Sequence, residues 1–131
     1  MKLYVLSDLH AESAAFLADP AALEEADVVV LAGDIHCGEY TPFWARKTFG
    51  DKPIILVAGN HEFYDRHWER CLMDMRKAAR QCGVHFLENE TVTIGGVQFL
   101  GATFWTDFEL MGARAQSIEA AKRLMADYRM I

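Results

Sequence analysis

The chain has 131 residues, 52% hydrophobic and 24% charged, the balance of one packed globular domain and not of a disordered segment. A formal charge of -6 gives no general attraction to polyanions, which argues against nucleic-acid binding through a basic face. The apolar run before Asp8 is too short for a secretory leader and no run is long enough to span a bilayer, so a cytoplasmic chain without membrane contact is expected. Cys37, Cys71 and Cys82 are odd in number and lack C-x-x-C spacing, which argues against a disulfide framework and a thiolate zinc site.

In chain order, "KLYVLS" (2–7), "DVVVLA" (27–32) and "PIILVA" (53–58) are short runs rich in β-branched and other apolar residues, the pattern of strands covered on both faces. Helix-compatible segments separate them: "PAALEEA" from Pro20, then "TPFWARKTF" with Thr41 as N-cap and Pro42 at the first helical position. A third helix is predicted from about Asp65 to Cys82. There Trp68, Cys71, Leu72, Met75, Ala78, Ala79 and Cys82 recur at one-face spacing and Gly83 follows as a stop. "VHFLE" (84–88), "TVTI" (91–94) and "VQFLGAT" (97–103) read as strands, the last two joined by a Gly95-Gly96 turn, and a final helix is expected from Ser117. The order βαβαβα, hairpin, helix is that of an α/β layered domain with a largely parallel sheet.

Polar residues follow each of the first three strands: Asp8-Leu9-His10, Gly33-Asp34-Ile35-His36 and Gly59-Asn60-His61-Glu62. Ligands of open parallel sheets bind at the carboxyl ends of the strands, so three loops deliver these side chains to one place. Carboxylates, imidazoles and an amide carbonyl suit divalent Mn, Fe, Zn or Mg, and Asp34 has two oxygens with which to bridge two ions. Two such ions clamp the attacking and leaving oxygens of an in-line displacement, which is phosphoester hydrolysis. Asp8 and His10, two apart on an extended segment, are expected to point to one side.

Taken singly, Asp8, Asp34 and Asn60 also suit plain turn chemistry, since Asp and Asn bond local backbone after strands. Glu62 suits a helix start or support of a ligand better than ligation. His36 and Cys37 lie near the site but suit a loop equally, His67 suits a solvated helix face, and His85 a structural strand position. Trp105 and Asp107 either reach the cleft or end a strand, and the methionines at 73, 75, 125 and 130 suit core filling.

The trio of motifs resembles the calcineurin-like metallophosphoesterase superfamily, whose pattern is D-x-H, G-D and G-N-H-[DE], followed by a lone His and G-H-x-H. "GATFWTDFEL" (101–110) is similar to a stretch in small bacterial members. The resemblance implies that Asp8 and His10 bind a first metal, Asp34 bridges both, and Asn60 binds the second. It implies that His61 donates a proton to the leaving oxygen or stabilises the phosphoryl group, and that a metal-bridging hydroxide attacks a small phosphoester.

The last two histidine motifs are not found in the 131 residues, and the Asp and Arg of the protein-phosphatase signature G-D-x-V-D-R-G are replaced by Cys37 and Gly38. Residues 1–131 therefore read as the N-terminal half of an αββα sandwich, truncated at its C-terminus, with a homodimer or a missing C-terminal half as the expected partner. Three functions compete. The first is a binuclear phosphoesterase, and the second a non-catalytic metal-binding or interaction remnant of one. The third is a flavodoxin-like or receiver-like binding domain, which has no use for Gly-Asn-His-Glu after its third strand.

Overall fold

The computed structural model describes residues 1–131. Four strands, β1 (Leu3–Leu6), β2 (Val28–Ala32), β3 (Ile54–Val57) and β4 (His85–Phe86), form one wholly parallel sheet in the order β1-β2-β3-β4. Each connection returns through a helix: α1 (Pro20–Glu25), α2 (Tyr40–Phe49) and α3 (Trp68–Cys82). The register pairs Leu6 with Leu31 and Leu31 with Leu56, so the three apolar strands end together at one edge. That common edge is what brings the polar loops side by side.

Alternation along the strands divides the sheet into two faces. Val29, Leu31, Ile54 and Leu56 pack against Ala45 and Phe49 of α2 and Cys71, Met75 and Ala79 of α3, forming the main core. Val28 and Ile55 face the other way, with Leu87, Val92, Ile94 and Phe99. This second layer is the antiparallel hairpin of β5 (Glu90–Ile94) and β6 (Val97–Gly101), closed at Gly95-Gly96, both at positive φ as a tight two-residue hairpin turn requires. Helices on one face and strands on the other make half of a sandwich. The second layer stops short of β1, where Leu3 and Val5 remain 46% and 58% exposed.

Several element ends differ from the sequence reading. The segment from Asp65 does not start α3: His61–Phe63 form a 3-10 turn, Asp65 takes a left-handed φ of 58°, and the helix begins at Trp68. Thr41 lies inside α2, and its hydroxyl donates to the His36 carbonyl at 2.9 Å instead of capping. The last helix begins at Arg114, ahead of Ser117, whose hydroxyl back-bonds to the Ala113 carbonyl at 3.2 Å. It breaks at extended Met125 into α4 (Arg114–Leu124) and α5 (Asp127–Met130).

Candidate metal centre

The loops after β1 and β2 are zippered by backbone bonds: the Asp8 N–H donates to the Gly33 carbonyl at 3.1 Å, His10 to Asp34 at 3.1 Å, and Ala11 to Ile35 at 2.9 Å. Asp8, His10 and Asp34 adopt left-handed φ values of 54°, 45° and 55°. The D-x-H segment is thus not extended, and it is this turn, not strand alternation, that aims both side chains. Non-glycine residues hold such conformations at a cost, and they cluster where surrounding structure overdetermines them.

The loops after β2 and β3 touch through backbone. A Cβ on Gly59 would stand 2.2 Å from the Asp34 carboxylate and 2.7 Å from its nitrogen, so the residue before Asn60 has to be glycine. Glu62, fully buried, staples the contact. Its carboxylate accepts from the backbone N–H groups of Asp34 at 3.0 Å, Ile35 at 2.8 Å and Gly59 at 2.8 Å. Burial pushes its pKa up, while the three backbone donors pull it down. Glu62 therefore supports the site, and does not face it.

On this frame Asp8, His10 and Asp34 each present one donor atom within 4.8 Å of the others. The Asp34 Oδ1 accepts the backbone N–H of His61 at 2.9 Å, fixing the carboxylate against the third loop. The His10 and His61 rings meet edge to face with centroids 4.3 Å apart, and His61 stacks on Tyr64 at 4.4 Å. Asn60 donates hydrogen bonds from its amide nitrogen to Asp127 at 2.6 Å and to the Tyr64 hydroxyl at 3.2 Å, which leaves its carbonyl oxygen free to ligate. All five motif residues thus gather at the carboxyl edge of the sheet.

An open cleft of about 570 Å³ runs between β3 and the hairpin to Asn60 and Asp127, with Trp105 in its wall. Trp105 packs edge to face on Trp68 and Tyr128. His36 and Cys37 lie within 4.8 Å of Glu12 but apart from the Asp8 group; the Cys37 N–H donates to His36 Nδ1 at 2.7 Å, and burial pushes the Cys37 thiol up. His67 and His85 are exposed and outside the site.

Three further residues were not visible as site residues in the sequence. Glu12, two positions after His10, stands at the ring nitrogens of both site histidines; D-x-H-x-E spacing was its only signal. Tyr64 and Asp127 form a small network with Asn60, the Tyr64 hydroxyl donating to Asp127 at 2.9 Å. Desolvation and that bond raise the Tyr64 pKa. Asp127 comes from α5, far along the chain, and no local pattern marks it.

A parallel sheet carrying carboxylate, imidazole and amide groups at its carboxyl edge defines an α/β protein with a candidate oxygen-and-nitrogen ligand set for a metal. The sequence model of the calcineurin-like phosphoesterase superfamily domain matches residues 1–126. The chain belongs to that family, which generally uses divalent metals. Comparison with curated proteins and with solved structures gave no match. No helix is long and apolar enough to cross a membrane.

Proposed function

We propose that the chain is a cytoplasmic, metal-dependent hydrolase of small phosphoesters. The observation that carries this reading is the convergence of Asp8, His10 and Asp34 donor atoms within 4.8 Å, beside Asn60 and His61, in a member of a phosphoesterase family. The donor set fits divalent ions: two carboxylates and an imidazole converge, and the Asn60 carbonyl is left free by its amide's bonds.

In this reading Asp8 and His10 hold one ion, Asn60 a second, and Asp34 is shared. Divalent ions from the set Mn, Fe, Zn or Mg, if held by these residues, would lower the pKa of a water toward neutrality and offer positive charge to the phosphoryl oxygens. The protein's part is positional. The Asp34 carboxylate is held by the His61 backbone N–H, and the backbone turn carrying it is held by Glu62. His61 delivers a proton to the leaving oxygen or a hydrogen bond to the phosphoryl group. The rest of the coordination sphere comes from water or from a second copy of the chain.

A second reading, a non-catalytic metal-binding module, is favoured by one observation: residues 86–131 contain no histidine. Hydrolysis of an aryl phosphodiester and an aryl phosphomonoester in Mn separates the two. The enzyme reading expects turnover of at least one ester that falls by roughly 100-fold or more in His61→Asn, the usual scale of acid catalysis. Metal binding with no turnover of either ester at any protein concentration would leave the second reading.

A further inference from the structure

We propose that Glu12 is the carboxylate that positions both imidazoles of the centre, His10 and His61. The inference rests on the phosphoesterase reading for the role of His61, and on geometry for the rest. One Glu12 oxygen stands 3.5 Å from His10 Nδ1 and 3.8 Å from His61 Nδ1. Those two rings are themselves in edge-to-face contact, so a single carboxylate addresses a packed pair. The backbone explains the placement: Ala11 is tied to Ile35 and His10 to Asp34, which carries residue 12 alongside the second loop.

A neutral imidazole has one proton, and the partner of one ring nitrogen decides what the other can do. A carboxylate at Nδ1 keeps the proton there, leaving the His10 Nε2 lone pair for an ion. At His61 the same contact holds the ring by Nδ1, so that Nε2 is the nitrogen left for the reacting oxygen. The arrangement is the usual orienting shell of a metal-site histidine, here serving two rings. Distances slightly beyond hydrogen-bond length are ordinary before substrate binds.

Glu12 is also within 4.8 Å of His36 and Cys37, where His36 Nδ1 accepts the Cys37 N–H at 2.7 Å. The Glu12 side chain is 21% exposed on a loop, which makes its substitution tolerable to the fold.

The test is long-range proton–nitrogen NMR of the five histidines in the full chain, assigned by single substitution. Wild type is expected to carry the Nδ1–H tautomer at His10 and His61. In Glu12→Ala both rings revert to the Nε2–H form that free imidazole favours, while Glu12→Gln, which keeps an acceptor oxygen, restores Nδ1–H. In turnover, Glu12→Ala lowers kcat by roughly 10- to 100-fold with KM nearly unchanged. Nε2–H rings in wild type, or tautomers that ignore Glu12→Ala, overturn the proposal. Tautomers that respond in a chain without turnover uphold the positioning and count against the phosphoesterase reading alone.

Discussion

The side chains of the centre are aimed by backbone that most residues avoid. Asp8, His10 and Asp34 all sit at positive φ, a cost of roughly 1 kcal/mol or more each that the zippered loops and the Glu62 staple have to offset. The staple also reaches into α3: the Cys71 thiol, 2% exposed, donates to the Glu62 carbonyl at 3.2 Å. Burial pushes the Cys71 pKa from 9.0 up to about 11. Ionising it therefore costs more in the folded chain than in the unfolded one. Its contribution is intact below pH 9.0 and is lost as pH rises toward about 11, by at most about 1.4 kcal/mol per pH unit. Urea midpoints measured across that range should fall more steeply in wild type than in Cys71→Ala; parallel curves would refute the linkage. The motif residues were legible in the sequence because strand-end Asp, His and Asn with flanking glycines form a dense local signal. Glu12 and Asp127 were not, since their roles depend on contacts between loops and with a distant helix.

Helices and strands are joined at the opposite end by one cation. Arg46 of α2 donates to the carbonyls of Cys82 at 2.8 Å, Gly83 at 2.7 Å and Lys52 at 3.0 Å, and to that of Gly50. It thereby satisfies the C-terminal carbonyls of α2 and α3 and fixes the entry to β3. Arg46→Ala is expected to lower stability by about 2–3 kcal/mol, since charge-assisted bonds are lost together, with the metal edge left in place. Chemical denaturation checks it, and a loss under about 0.5 kcal/mol, the range of an ordinary surface change, would contradict it. The strands were legible as elements because burial on both faces leaves an unbroken apolar run, as in "DVVVLA". The start of α1 at Pro20 was legible too, but that of α3 was not: the left-handed turn at Asp65 and its N–H bond to the Met130 carbonyl at 2.8 Å are tertiary facts, which periodicity from Trp68 onward cannot register.

At the scale of the molecule, the helical face of the sheet is closed and the hairpin face is open. Leu3 and Val5 on the edge strand, with Leu100 at 77% and Phe104 at 94% exposure, border that opening. Apolar surface of this kind favours association, and we propose a symmetric homodimer through it. Light scattering across a dilution series should show mass rising from 14.8 kDa toward twice that value, and Val5→Lys should hold the single-chain mass; one mass at every concentration would contradict it. The layered architecture was readable from element order, whereas the extent of the second layer was not, because β4 holds only His85–Phe86 and the hairpin covers half a face. Whether the carboxyl edge is a divalent metal centre is read by titrating Mn with the chain and following the free-ion signal by electron paramagnetic resonance. Asp34→Asn is the matched variant, because Asn tolerates the same left-handed backbone and only the ligand charge changes. Wild type is expected to bind saturably, with binding at least roughly tenfold weaker in Asp34→Asn. Equal binding by both chains, or none by wild type, would contradict it.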